Sequence, residues 1–281
     1  MDLHLSVILG RDSGASFIHV DEGVRSFESS GNFASPLTLP KTLVTAVRAF
    51  STLVTELQKR GVRGKVELFE MDKHPVIRAK RPAPGVSYRF FQPDTAAKAV
   101  AGFLRRRPCF KKPAVQLEKG VFNLLIGRNG DKFLHEWLSH PAESGVPLPP
   151  DVTLFSVNPH FYSKKRPRLV RGRIRCSSLV PLPDSWLLLR TIQNGRYDSG
   201  GQRVSFSIAE AFLKKDSLIQ SLYPARVSVE LKDLNRGFPG CLSEKELPGA
   251  GFICSKFGEN VFGRIEAPPL LFTEIPIEVE A

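Results

Sequence analysis

Basic side chains are concentrated in two short segments of this chain. Residues His160 to Arg175 hold seven Lys or Arg side chains and no acidic one, and Phe103 to Pro113 hold five more with no acid. Together these twelve cations equal the whole formal net charge of +12. Because such a density of like charge repels itself unless a polyanion supplies the counter-charge, the clusters predict a binder of phosphate groups. The alternative is a solvated basic surface or loop.

Part of the longer cluster has the alternation of a β-strand. In residues 169–176, Arg171, Arg173 and Arg175 would share one face, because successive strand residues point to opposite sides. A row of guanidinium groups can follow a phosphate backbone through bidentate contacts. The pattern therefore predicts a nucleic-acid track. The side chains predicted to form it are Arg105, Arg106, Arg107, Lys111, Lys112, Tyr162, Lys164, Lys165, Arg166, Arg168, Arg171, Arg173 and Arg175.

A glycine-rich segment near the C-terminus is the second candidate for phosphate contact. Repeated glycines allow a close backbone approach and leave amide N–H groups free for phosphate. No G-K-[ST] follows, so the segment is not a Walker motif, and simple turns are the alternative. The residues predicted to take part are Gly249, Gly251, Lys256, Gly258, Gly263 and Arg264.

One stretch of the sequence is close to a zinc-binding motif. The stretch H-E-W-L-S-H, from His135 to His140, is one residue longer than the zinc motif H-E-x-x-H. On a regular α-helix two residues five apart lie on different faces, and so we expect no shared zinc, no metal site and no cofactor. The four cysteines are scattered without a C-x-x-C pair, and they are predicted to be reduced apolar residues.

Hydrophobic periodicity in the first half predicts a mixed α+β structure. Alternation over Leu3–Leu9 predicts a strand, helical spacing over Leu43–Leu57 predicts a helix, and Lys65–Glu70 reads as a second strand. The order favours an opening βαβ unit. A further helix is expected from about Asp94, as its cap, to Arg107.

The second half repeats this plan after a Gly/Pro-rich linker at Gly145–Asp151. A strand is expected within Leu169–Leu182 and a helix at about Ile208–Leu222. Alternating apolar residues predict strands at 227–231 and 275–279. We therefore expect two α+β halves, residues 1–150 and 151–281, each with a small sheet backed by helices.

Cellular location is constrained by two absences in the sequence. No apolar stretch is long enough to span a bilayer, and the first ten residues are too short and too acidic at Asp2 for a secretory signal. We expect a cytoplasmic protein without a membrane partner.

This layout resembles the CRISPR-associated RAMP superfamily, and within it the endoribonucleases that process precursor CRISPR RNA. The resemblance rests on the two halves, the basic stretch between them, the Gly249–Gly263 loop and the Pro36–Phe50 turn into the first helix. It implies two ferredoxin-like or RRM-like halves with antiparallel sheets. It also implies an RNA partner, the CRISPR repeat hairpin, and a role in antiviral defence.

The implied reaction is metal-independent cleavage, in which the RNA 2′-hydroxyl attacks the next phosphate with acid–base help. The resemblance places the candidate catalytic residues at His19 and Arg25, with His160 as the alternative. Two other functions stay open. The chain could be a non-catalytic RAMP subunit that binds guide RNA beside other CRISPR effector subunits, or a basic DNA-binding protein.

Overall fold

The computed structural model describes residues 3–9, 16–20, 41–71, 74–81, 88–105, 114–127, 130–149, 152–156, 171–245, 247, 251–256 and 259–280. The chain forms two compact units, Met1–Arg107 and Pro108–Ala281, and each unit has its own buried hydrophobic core. The segment 145–151, predicted to be a linker between halves, lies inside the second unit.

The first unit is an antiparallel sheet of five strands whose core is shared with two helices. The strands pair in the order β2-β1-β3-β4-β5. Alternate strand residues such as Leu5, Val66 and Ile77 are buried together with Phe50 and Leu57 from the apolar stripe of the first helix. The bounds are β1 Leu3–Leu9, β2 Ser16–Val20, α1 Lys41–Lys59, β3 Gly64–Met71, β4 His74–Lys80, β5 Tyr88–Phe91 and α2 Ala97–Arg105.

Strands β1 and β3 and helix α1 confirm the sequence prediction for this unit, but the βαβ unit is wrong. β1 pairs with β3 in antiparallel register, because β2 intervenes as an antiparallel partner of β1 and reverses the chain. Helix α2 begins at Ala97 rather than beside Asp94. The residues before it form a turn, in which the Thr95 amide donates to the carbonyl of Gln92.

The second unit is built around a closed barrel of five strands. β10 pairs with β12, β12 with β16, β16 with β6, β6 with β9, and β9 again with β10. β11 and β13 extend this sheet, and a separate four-stranded sheet has the order β14-β15-β8-β7. The strand bounds are β6 Gly120–Ile126, β7 Val152–Ser156, β8 Arg171–Cys176, β9 Trp186–Asp198, β10 Arg203–Lys215, β11 Leu218–Leu222, β12 Ala225–Glu230, β13 Gly240–Cys241, β14 Phe252–Lys256, β15 Glu259–Glu266 and β16 Leu270–Glu280.

The helical segments of this unit are short. They are α3 Asp131–Leu134, a π-helical segment His135–Ser139, α4 His140–Glu143 and α5 Leu231–Arg236. Phe133 lies edge-on to Phe206 of β10 and to Phe272 of β16, and Trp137 also contacts the Phe272 ring. Two aromatic side chains one turn apart therefore fix this helical run against the barrel strands.

The predicted fold class is wrong. The described residues are mostly strand, and the second unit is a barrel with an added sheet rather than a ferredoxin-like half. The helix expected at 208–222 is instead part of β10 followed by β11, because this region pairs with β9 and forms a β10–β11 hairpin, in which Asp216 turns the chain at a φ of 54°. Strands β8, β12 and β16 confirm the remaining predictions. No helix in the described part of the chain is long and apolar enough to cross a membrane.

Candidate metal centre

A π-helical turn brings two histidines together that a regular helix would separate. Residues five apart on an α-helix differ by about 140° around the axis. Here the His140 amide donates to the His135 carbonyl, the i→i+5 bond of a π-turn, and the two ring centroids are 4.3 Å apart. The expectation that these imidazoles lie on different faces is therefore wrong, because it assumed a regular α-helix.

Cys254 on β14 completes a group of three metal-ligating side chains. One ligand atom from each of His135, His140 and Cys254 lies within 4.8 Å of the others, and all three residues are buried. The Cys254 Sγ is 3.7 Å from the His140 Nε2. Zn–S and Zn–N bonds of ordinary length at a tetrahedral angle would place these two atoms about 3.6 Å apart. The donor set and its spacing therefore fit zinc.

Two carboxylates border His140. Glu143 Oε2 is 3.1 Å from His140 Nδ1, so this carboxylate can accept the Nδ1 proton and leave Nε2 free to bind a metal. Glu136 Oε2 lies 3.7 Å from His140 Nε2. Burial alone would lower the pKa of His140, but its hydrogen bonds with Cys254 and Glu143 and the charge of Glu136 outweigh burial and raise the pKa to about 9. The group thus stabilises a positive charge at this point.

The glycine-rich segment contributes Cys254 to this centre, and the described Gly251 amide, predicted to be available to phosphate, is bonded within the protein. Gly251 has a φ of 81°, which favours glycine, and its amide donates to the buried Asp131 Oδ2 at 2.7 Å. Asp131 opens α3, four residues before His135, and Gly251 precedes Cys254 by three. This bond ties the helical run to the strand that carries the thiol.

Of the candidate catalytic residues from the sequence, only His19 is described, and it belongs to the first unit, whereas this centre belongs to the second. His19 is in strand β2 opposite His4 rather than in a loop, and Arg25 and His160 lie outside the described residues. Most residues of the predicted phosphate track also lie outside the described part of the chain. The track residues that lie outside the described part are Arg106, Arg107, Lys111, Lys112, Tyr162, Lys164, Lys165, Arg166 and Arg168, and Gly249 and Gly258 of the glycine-rich segment lie outside it too.

The described basic residues are divided between the two units. Arg105 ends α2 and donates to the Arg60 carbonyl. Arg173 and Arg175 are exposed on β8, alternating with the buried Ile174 as predicted, and Arg173 Nε is 3.3 Å from Glu266. Arg171 and Lys256 lie in β8 and β14, and Gly263 and Arg264 lie in β15. These positions do not test the role predicted for the side chains.

The metal-ligating residues were missed for two reasons. His135 and His140 carried a visible signal, an H-E pair followed by a second histidine, but the prediction assumed a regular α-helix. Cys254 carried no local signal, because 114 residues separate it from His140 and only the fold brings the two together.

No family model and no curated protein matches the chain. Among solved structures, the chain is similar to TldE from Thermococcus kodakarensis, at 10% identity over 98% of this chain and 94% of that one, with a TM-score of 0.50. It is also similar to a proposed modulator of a DNA gyrase from Thermotoga maritima, at 9% identity over 99% and 94% of the two chains, with a TM-score of 0.55.

These similarities show the fold alone, and they correct the sequence-based assignment. The chain folds like TldE and the gyrase-modulator protein over nearly its whole length, and not like a CRISPR-associated RAMP protein. The predictions of a CRISPR endoribonuclease, of a RAMP effector subunit and of a CRISPR RNA partner are therefore wrong, because a basic stretch and glycine-rich turns occur on many folds. The chain shares its fold with these two proteins.

Proposed function

We propose that this protein is a zinc-dependent hydrolase that cleaves amide bonds in peptides. The observation that carries the proposal is the group of His135, His140 and Cys254, with the Glu136 carboxylate beside it. Two imidazole nitrogens and a cysteine sulfur suit zinc better than hard cations such as magnesium or calcium. A glutamate directly after the first histidine is the arrangement in which zinc peptidases hold their general base.

Zinc bound by these three residues would activate a water molecule and polarise the carbonyl group of a substrate. Glu136 is placed to act on that water. Its Oε2 lies 3.7 Å from His140 Nε2, and it can accept a proton from the attacking water and deliver the proton to the departing amide nitrogen. Glu143 holds the His140 ring in one orientation through Nδ1. The cytoplasm is the expected location, since the thiol must stay reduced to serve as a ligand.

The test is metal content together with peptide hydrolysis. We expect about one zinc ion per purified chain and cleavage of a mixed peptide library that 1,10-phenanthroline stops. His135→Ala, His140→Ala and Cys254→Ala should each lose the zinc and the cleavage. Cys241→Ala removes an equally buried thiol outside the group and should keep both. A purified protein that takes up no zinc from a buffered solution would exclude this function.

One observation favours a second candidate, a cysteine-dependent hydrolase. Cys254, His140 and Glu143 stand in the order of nucleophile, base and orienting carboxylate, with separations of 3.7 Å and 3.1 Å. Cleavage that survives the chelator and Glu136→Gln, but is lost in Cys254→Ala, would favour this candidate. The zinc proposal predicts that Glu136→Gln keeps the metal and loses cleavage.

A further inference from the structure

Glu136 is packed against a glycine that leaves no room for another residue. A Cβ atom built on Gly195 of β9 would lie 2.5 Å from the Glu136 Cγ and 3.1 Å from both its Cδ and its Oε1. Gly195 is not one of the described glycines with a positive φ, so its backbone does not require glycine. The space is needed for the Glu136 side chain itself.

A buried lysine holds the same carboxylate from a second direction. Lys132 Nζ lies 3.1 Å from Glu136 Oε1, one helical turn away, and 3.2 Å from the Ile253 carbonyl next to Cys254. It also lies 5.3 Å from the centre of the Phe252 ring. Only 9% of Lys132 is exposed, and a buried ammonium group is stable only when it is paired.

The contacts with Gly195 and Lys132 fix the position of the second carboxylate oxygen of Glu136, Oε2. With Oε1 bonded to Lys132 and Cγ seated against Gly195, Oε2 lies 3.7 Å from one candidate ligand atom, His140 Nε2. The Glu136 side chain is therefore held between the β9 backbone at Gly195 and the ion pair with Lys132.

We propose that Gly195 and Lys132 are positioning residues that fix Glu136 in the orientation needed to act on a metal-activated water. The consequence for catalysis rests on the proposed zinc hydrolase, but the packing relation does not. A general base must lie within hydrogen-bond reach of the proton it takes, and an error of about 1 Å costs on the order of 100-fold in rate.

The first experiment measures kinetics and zinc content of Gly195→Ala. We expect kcat to fall by about 100-fold while KM and the bound zinc stay within about twofold, because none of the ligands moves. Gly102→Ala in α2 is the matched control, since a Cβ there meets no atom within 4 Å, and its kinetics should equal those of the wild type. Wild-type kcat in Gly195→Ala would overturn the proposal.

The second experiment is a double-mutant cycle in melting temperature, which needs neither substrate nor metal. Gly195→Ala should lower Tm in the wild-type background but not in the Glu136→Ala background, because the clashing side chain is then gone. If Gly195→Ala alone does not fold, the double variant must fold. Likewise, Lys132→Met should lower Tm by less in the Glu136→Gln background than in the wild-type background.

A Gly195→Ala penalty that persists undiminished without the Glu136 side chain would show that the glycine serves only the backbone, and the proposal would be wrong. A protein that passes the cycle but hydrolyses nothing would reject the zinc hydrolase and keep the packing relation. The two failures are therefore distinguishable.

Discussion

Glu143 offers the sharpest test of how single residues tune this centre. Its Oε2 lies 3.1 Å from His140 Nδ1, so in the proposed zinc site it would orient a ligand without being one of the three ligands. We expect Glu143→Ala to weaken zinc binding by about 10- to 100-fold, as loss of such a partner does in other zinc sites. Competition with a chromogenic chelator measures this. Glu244→Ala, which removes an exposed carboxylate, should leave the affinity unchanged.

Two of the three candidate ligand residues were visible in the sequence, and the third was not. The chemistry of His135, Glu136 and His140 was readable as an incomplete zinc motif, and one extra residue was the sole objection. A π-turn removes the objection by adding one residue to a helical turn. Cys254 was out of reach, since its part depends on contacts between distant segments.

Among the elements, the start of α3 depends on a glycine for space. A Cβ built on Gly130 would lie 2.1 Å from the Ile126 Cγ2, on a β-branched side chain that cannot swing away. Gly130→Ala should therefore destabilise the fold by about 1–3 kcal/mol through overpacking. Gly102→Ala, inside α2 and in open space, should stabilise the fold by up to about 1 kcal/mol. Urea unfolding measures both, and equal effects would contradict the steric argument.

Elements with a clear local hydrophobic periodicity were predictable from the sequence, and elements decided by pairing between distant strands were not. Strand β12 alternates throughout, β1 and β16 alternate over part of their length, and α1 has an unbroken apolar stripe, so local pattern decides them. The region 208–222 fits a helical spacing equally well. There, pairing of β10 with β9, β11 and β12 decides, and no single stretch of sequence contains those partners.

For the whole molecule, the net charge predicted neither the fold nor the proposed reaction. A charge of +12 speaks to solubility and to long-range attraction of anions, but not to the fold that carries it. Among the described residues, the proposed reaction centre uses one cation, Lys132, and it would hold its metal with two imidazoles and a thiolate. The excess charge and the proposed chemistry are therefore separate properties of the chain.

The division into two units predicts that zinc stabilises only one of them. All three proposed ligands lie in Pro108–Ala281, and each unit has a core of its own. A ligand that binds only the folded state at 100 times its Kd adds about 2.7 kcal/mol, which corresponds to a rise of about 5–10 °C in Tm.

Both tryptophans, Trp137 and Trp186, belong to the second unit, so tryptophan fluorescence reports its unfolding alone. Removing zinc with a chelator should lower the midpoint seen by fluorescence and leave a second calorimetric transition, from the first unit, where it was. His140→Ala should already melt at the lower midpoint and show no response to the chelator. One transition that moves as a whole would mean that the units unfold together, because a ligand held by one unit can shift the other only when their unfolding is coupled.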